Sequence, residues 1–369
     1  MKCGSCGRLV RKNLWVCPEC SAALKGGVVF VTAVSGSATG DYMGKVLQQA
    51  NAHGHPSDLH DIGIEMRRHA TEHEPDVQWD AILDADEGVR RYLRALAFKD
   101  LTHDIKMNPE VVHLVDLHLS FRWRAYLTKG FEPHILEQFV PYVRCFVNLI
   151  EDLPKIKERL SASAWGDREI LELLVWRDEE LFLTNLFAET CGRVDSYAIA
   201  AAEPPSMLER LIWHPEMKRV YLSFPITALR GRPDGEAALR EVEAFRDRMR
   251  EFLVVFDPFA CRDYDETYAR EEMKALRKQV GEATEERDYR FIDQANAVVV
   301  YFPRMVSSKG VDAEMNHARR TGKPIYLYAP EKPREGPFVV PPKQVRSNPD
   351  EFIELLKAEL SLPTPTKAS

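Results

Sequence analysis

Cys3-x-x-Cys6 and Cys17-x-x-Cys20 put four thiols into two tight turns, with ten residues between the pairs. A structural zinc ion takes four thiolates in a tetrahedron, and paired CxxC motifs at this spacing predict a small zinc ribbon over residues 1–25. A redox dithiol or a disulfide pair accounts less well for two copies. Gly4, Gly7 and Pro18 suit the turns, and residues 9–10 and 14–16 read as short strands between them. With all four zinc positions filled by Cys3, Cys6, Cys17 and Cys20, none is left for a substrate. The zinc is therefore expected to be structural. A second group is the small-residue run Ser35-Gly36-Ser37-Ala38-Thr39-Gly40, which separates an apolar stretch at 28–34 from a helical pattern at 41–51. Strand, small-residue loop and helix form the layout in which backbone N–H groups face an anion, so Ser35, Gly36, Ser37, Thr39 and Gly40 are candidate nucleotide contacts. Ala38-Thr39-Gly40 stands where Gly-Lys-Ser/Thr is wanted, however. Phosphoryl transfer would then lack its lysine and its magnesium-holding hydroxyl, and Lys45 lies one turn too far along to replace it.

A third group lies in the C-terminal part of the chain: Tyr221, the run Glu286-Arg287-Asp288, and Ser308-x-Gly310-x-x-x-Glu314. Taken singly, each has an ordinary structural explanation. Glu314 could be a first-turn acid complementing a helix dipole, Asp288 part of a solvated charged run, and Tyr221 a core aromatic. Asp312 and His317 read as helix-surface groups, with a substrate contact as the alternative.

These residues sit in a chain of 369 with 45% hydrophobic and 29% charged residues and a net charge of −7. That is an ordinary globular composition for two or three domains. The acidic balance argues against a dedicated nucleic-acid binder, although Lys2, Arg8, Arg11, Lys12 and Lys25 against Glu19 alone would suit a nucleic-acid or protein partner at the ribbon. A structural clip or an oligomer contact is the preferred role for that segment. No apolar run approaches the ~20 residues of a bilayer span, and the first residues lack signal-peptide features. No membrane association and a cytoplasmic location are expected. Cys145, Cys191 and Cys261 are too scattered for a disulfide framework.

Apolar runs at 28–34, 111–116, 143–150 and 195–201 read as buried strands, with helical stretches at 154–160 and 167–191 between them. A break falls at Ala202-Glu203-Pro204-Pro205. Further strands are expected at 219–224, 253–256, 297–302 and 324–328. Helices are expected at 235–252, after Ser308, and at 349–360, the last with Asn348 as cap and Pro349 at its first position. Strands alternating with helices predict parallel sheets covered on both faces. The fold class is α/β, two parallel-sheet domains behind a zinc ribbon, with a C-terminal loop, short helix and tail over 331–369.

Residues 27–202 resemble the adenylate-kinase-like nucleoside monophosphate kinases. The resemblance rests on the loop at 35–40, Glu65-Met66-Arg67-Arg68, the strand end Asp116-x-His118, and Trp176-Arg177-Asp178. It implies a P-loop kinase-like fold, and the departure in the loop implies lost kinase activity. Residues 218–330 resemble the nucleoside 2-deoxyribosyltransferase superfamily, and within it the 2'-deoxynucleoside 5'-phosphate N-hydrolases. The match is carried by Tyr221 with its following Arg-containing loop, by Glu286-Arg287-Asp288-x4-Asp293-Gln294-Ala295-Asn296, and by Ser308-x-Gly310-x-x-x-Glu314-x-x-x-Ala318 before Gly322-Lys323-Pro324. It implies Glu314 as nucleophile at C1', delivered by the N-terminal turn of its helix. Asp288 would protonate or hydrogen-bond the base, Tyr221 would position Glu314 or the sugar, and Ser308, Gly310 and Arg230 would hold a 5'-phosphate. The chemistry agrees, since cleaving an N-glycosidic bond needs a carboxylate at the sugar and an acid at the base, and needs no cofactor.

The expected function is hydrolysis of the N-glycosidic bond of a nucleotide, releasing base and sugar phosphate, in a homo-oligomer. The domain combination suggests a regulated, nucleotide-depleting effector of antiviral defence. The alternatives are a nucleotide-binding sensor or scaffold without catalysis, and a nucleotide kinase.

Overall fold

In the computed structural model, β1 (Gly27–Thr32) is a wholly buried run of β-branched and aromatic residues and lies at the centre of a five-stranded parallel sheet. The structure describes residues 26–124, 126–163, 166–192, 194–262, 276–330 and 345–361. The expected zinc ribbon, with Cys3, Cys6, Cys17 and Cys20, lies outside them. The chain forms two compact units, Met1–Ile212 and Trp213–Ser369.

In the first unit β1 leads through a loop into α1 (Thr39–Ala52). There follow β2 (Ser57–Asp61), α2 (Ile62–His73), α3 (Glu87–Met107), β3 (Val112–Leu117), the antiparallel hairpin β4 (Ser120–Trp123) and β5 (Tyr126–Lys129), β6 (Val143–Ile150), α4 (Leu153–Leu160), α5 (Ile170–Thr190), β7 (Asp195–Ala200) and α6 (Pro205–Trp213). The sheet order is β2-β3-β1-β6-β7. Phe30 on β1 sits in the core, with the Phe146 ring at 5.1 Å and the rings of Phe139 and Phe131 edge-on at 5.7 and 6.1 Å. β2 is missing from the sequence reading because Ser-Asp-Leu-His-Asp has no apolar run; as an edge strand it needs only its backbone and one covered face. Glu180 on α5 is fully buried, and its carboxyl receives Leu119 N at 2.6 Å, Ser120 N at 2.9 Å and Ser120 Oγ at 2.7 Å. It thereby ties the start of the hairpin to the helix. Burial pushes that carboxyl up to about 8.

The second unit runs β8 (Arg219–Ser223), a short helical turn Ile226–Arg230, α7 (Gly235–Arg250), β9 (Val254–Phe256), α8 (Arg277–Gln294), β10 (Ala297–Tyr301), α9 (Lys309–Arg320), β11 (Ile325–Tyr328), β12 (Val345–Arg346) and α10 (Pro349–Leu360). Its five strands are again all parallel, in the order β12-β11-β10-β8-β9. Phe245 of α7 stacks on Tyr301 at 4.2 Å and on Phe352 of α10 at 5.6 Å, closing one face of this sheet. Asn348 caps α10 through Asp350 N, as its position before Pro349 predicts. No described helix is long and apolar enough to cross a membrane.

Candidate active site

The strand order of the second sheet reverses between β8 and β10, and in open parallel sheets this switch leaves a crevice at the carboxyl ends of the strands. Tyr221 and Ser223 stand two apart on β8, so both side chains leave the same face of the sheet. Both meet one carboxylate. Tyr221 Oη donates to Glu314 Oε1 at 2.9 Å, and Ser223 Oγ donates to Glu314 Oε2. Glu314 comes from the second turn of α9 rather than its N-terminal turn, so a first-turn dipole role does not describe it. Ser308 caps that helix, its Oγ accepting from Val311 N at 3.4 Å.

The electrostatics follow from this packing. Tyr221 is fully buried, and burial together with the charges of Asp288 and Glu314 lifts its phenol well above the ordinary value, so it stays a donor. Glu314 is also raised, first by burial and then by the Asp288 charge; the hydroxyls of Ser223 and Tyr221 and the Arg287 guanidinium pull the other way. Asp288 Oδ1 takes two donors from its neighbour, Arg287 Nε at 3.0 Å and Nη2 at 2.8 Å. The buried Arg287 is itself fixed by Cys261 O at 2.9 Å. Glu314, Asp288 and Arg287 line a cavity of about 880 Å³, with Tyr221 and Ser223 buried behind Glu314. On another wall, Arg230 and Arg262 lie 5.2 and 3.9 Å from the Phe259 ring centroid, and Ser308, Lys309 and Gly310 bring the α9 N-terminus to the same cavity. The geometry thus gathers Arg230, Asp288, Ser308, Gly310 and Glu314 around one space, and Tyr221 joins them only through its hydrogen bond to Glu314. Sequence reasoning missed Ser223; its signal was its position two residues beyond Tyr221 on a strand. Asp312 is exposed on α9, and His317 stacks on Tyr289 at 4.2 Å while bonding Asp293 at 2.7 Å.

The first unit has its own switch point, between β1 and β6, and the loop at 35–40 lies there. Gly36 has φ +87°, and a Cβ on it would come within 2.7 Å of Leu160 Cγ, so glycine is required. The loop faces a carboxylate of its own chain. Glu151, directly after β6 and 8% exposed, accepts Ala38 N at 3.0 Å. Arg159 of α4 grips Glu151 at 2.7 and 2.5 Å and also donates to Gly36 O at 2.6 Å. Ala38, at the N-cap of α1, has no side-chain acceptor for the first helical N–H groups, and Glu151 takes the N–H of Ala38 itself. Ser37 Oγ and Thr39 Oγ1 are buried without hydrogen-bond partners. A phosphate entering this loop would have to displace Glu151 from Ala38 N and compete with it for Arg159. No lone residue in the sequence flags this pair, because Glu151 and Arg159 become neighbours only through the turn between β6 and α4.

Among the described residues, His69, Glu72 and His73 bring possible metal-ligand atoms within 4.8 Å of one another. The Arg68 guanidinium already sits among them, 3.1 Å from His69 Nε2 and 2.6 Å from Asp100, and supplies that cluster with a cation. Compared with known proteins, the chain matches no family model, and no curated protein matches it.

Proposed function

We propose that the second unit hydrolyses the N-glycosidic bond of a nucleotide. The observation that carries this reading is the Glu314 carboxylate, with one buried hydroxyl on each oxygen at a sheet switch point, facing a cavity that also holds Asp288. Ionised Glu314 would form a bond from a carboxylate oxygen to C1' as the C1'–N bond breaks, its electron pair leaving with the base. Water would then cleave the glycosyl ester, its hydroxyl completing the sugar phosphate and its proton passing to the departing base, so that the carboxylate is returned. Tyr221 and Ser223 would orient the nucleophile. Asp288, bound twice by Arg287, suits accepting a hydrogen bond from the base better than donating a proton to it. The α9 N-terminus with Ser308, Gly310 and Arg230 would receive the 5'-phosphate. In the first unit, Glu151 in the loop favours a scaffold or sensor over a kinase. Cys3, Cys6, Cys17 and Cys20 are proposed to hold one structural zinc.

The test is chromatography of wild-type protein and Glu314→Gln incubated with a panel of nucleoside and deoxynucleoside mono- and triphosphates and NAD. Free base from the wild type alone supports the reading and names the substrate. No base from any substrate, or equal release by the variant, overturns it.

A further inference from the structure

Helix α5 of the first unit is apolar on two opposite sides. One side, with Leu173, Leu181 and Ala188, is buried within the unit. The other side is exposed and carries Leu171, Val175, Phe182 and Leu186, with Phe182 the most open at 61%. At 3.6 residues per turn these four fall within a sector of about 60°. A single exposed apolar side chain is ordinary, but four on one stripe are not. A helix that is apolar all round is one whose both sides become covered.

The spacing identifies what covers this one. Along α5 the four residues are separated by four, seven and four positions, the same read from either end. Laid antiparallel on a copy of itself, about a twofold axis between residues 178 and 179, the helix matches its own stripe. Leu171 then meets Leu186 of the other copy, and Val175 meets Phe182, a small side chain against a large one. Self-matching of this kind is the requirement of an isologous contact. The charges agree at the ends, where exposed Glu189 of one copy arrives beside Arg168 of the other. At the axis stand the acids Asp178 and Glu179, and Arg122 of β4 places a cation there, its Nε donating to Glu179 Oε2 at 2.7 Å. The hairpin that Arg122 ties to α5 adds exposed Tyr126 and Leu127 to the apolar surface.

We propose that the occupant is a second copy of this chain, the two α5 helices packing antiparallel about an axis at residues 178–179. The contact is small beside the roughly 20–30 residues a side of a standard interface, so the dimer is reversible, with a Kd in the micromolar range. It stands apart from the activity proposed for the second unit and uses none of that unit's residues.

The experiment is sedimentation of the full-length chain from about 1 to 200 μM, a span that brackets such a Kd. The mass should rise with concentration. Phe182→Glu and Leu186→Glu should each weaken the association roughly tenfold or more and leave Tm unchanged, because both side chains are exposed in the single copy. Cysteine cross-linking reads the geometry. Asp178→Cys, at the axis, should form an intermolecular disulfide beyond the wild-type background. Leu171→Cys and Leu186→Cys should each fail alone, since like residues lie about 22 Å apart along the helix, and should cross-link when the two proteins are mixed. A chain that stays monomeric throughout leaves the stripe to a different partner and overturns the proposal. So does association that survives both glutamate substitutions, or cross-linking of Leu171→Cys to itself. Base release is not read here, so failure of the hydrolase reading shows independently.

Discussion

Both sheets end at a switch point occupied by a glutamate, and the two glutamates are held in opposite ways. Glu151 is gripped by a guanidinium and a backbone N–H, so its charge is balanced and its lone pairs are occupied. Glu314 is held only by two hydroxyls, beside a second carboxylate, and its proton affinity rises. A charge-balanced carboxylate is a fastener. A carboxylate whose ionised form is costly, and which opens on a cavity, can release that cost by bonding to an electron-poor carbon. Two similar frameworks thus acquire different capacities from the few side chains that surround one acid.

The largest test of this contrast is Glu314→Gln, expected to lower base release on the order of 10³-fold or more, measured by single-turnover chromatography. Removing one oriented hydroxyl, by Ser223→Ala or Tyr221→Phe, should cost about 10–100-fold, the range for a hydrogen bond to a charged group. The pH dependence gives the sign. By the proposed route base release needs ionised Glu314, so the rate should rise along a limb above the ordinary carboxylate value of 4.5. Since Ser223 favours the charged form, Ser223→Ala should move that limb to higher pH still. Folding stability carries the same signature. A carboxyl raised in the folded state holds its proton more tightly there than in the unfolded chain, so its contribution is greatest at low pH and falls as pH rises past 4.5. Thermal melts of Glu314→Gln should therefore gain on wild type as pH increases.

The converse substitution is smaller. Glu151→Gln should leave base release unchanged and lower stability by about 1 kcal/mol, discounted because the Arg159 side chain is 39% exposed. It should also let the loop take up sulfate or phosphate, read by calorimetry. Unchanged anion binding would show that Glu151 is not what closes the loop. The smallest effect is expected from chelating the proposed zinc. Metal analysis should find one zinc per chain, lost in Cys3→Ser or Cys17→Ser, with base release by the remaining chain little altered.

How much of this was readable beforehand depended on what each residue had to satisfy. Strands such as residues 297–301 announce themselves because both faces are buried and every position must be apolar. Helix α3 and strand β2 were not anticipated: α3 buries Arg90 and Arg94 as well as Leu93 and Phe98, which blurs its apolar stripe, and β2 is mostly polar. At the candidate site, Tyr221, Asp288 and Glu314 stood out only jointly, through the resemblance of their order and spacing to a known superfamily, while each alone reads as an ordinary structural residue. Ser223 did not, because serine on a strand carries no signal until the helix bearing Glu314 is placed against it. The Glu151–Arg159 pair was invisible for the same reason: its meaning lies in the loop it faces.

The central place of β1 also bears on how the chain is made. Gly27 pairs with Val112, and Val28 with Val143, so β1, once it leaves the ribosome, waits for both neighbours until most of the first unit has been synthesised. At typical translation rates that wait is on the order of ten seconds, during which a Val-Val-Phe-Val segment has two unpaired edges. Such long-range parallel pairing makes for slow folding and a nascent chain prone to association. The first unit should therefore be the part of this protein that calls on chaperones, and its yield on refolding should fall steeply with concentration.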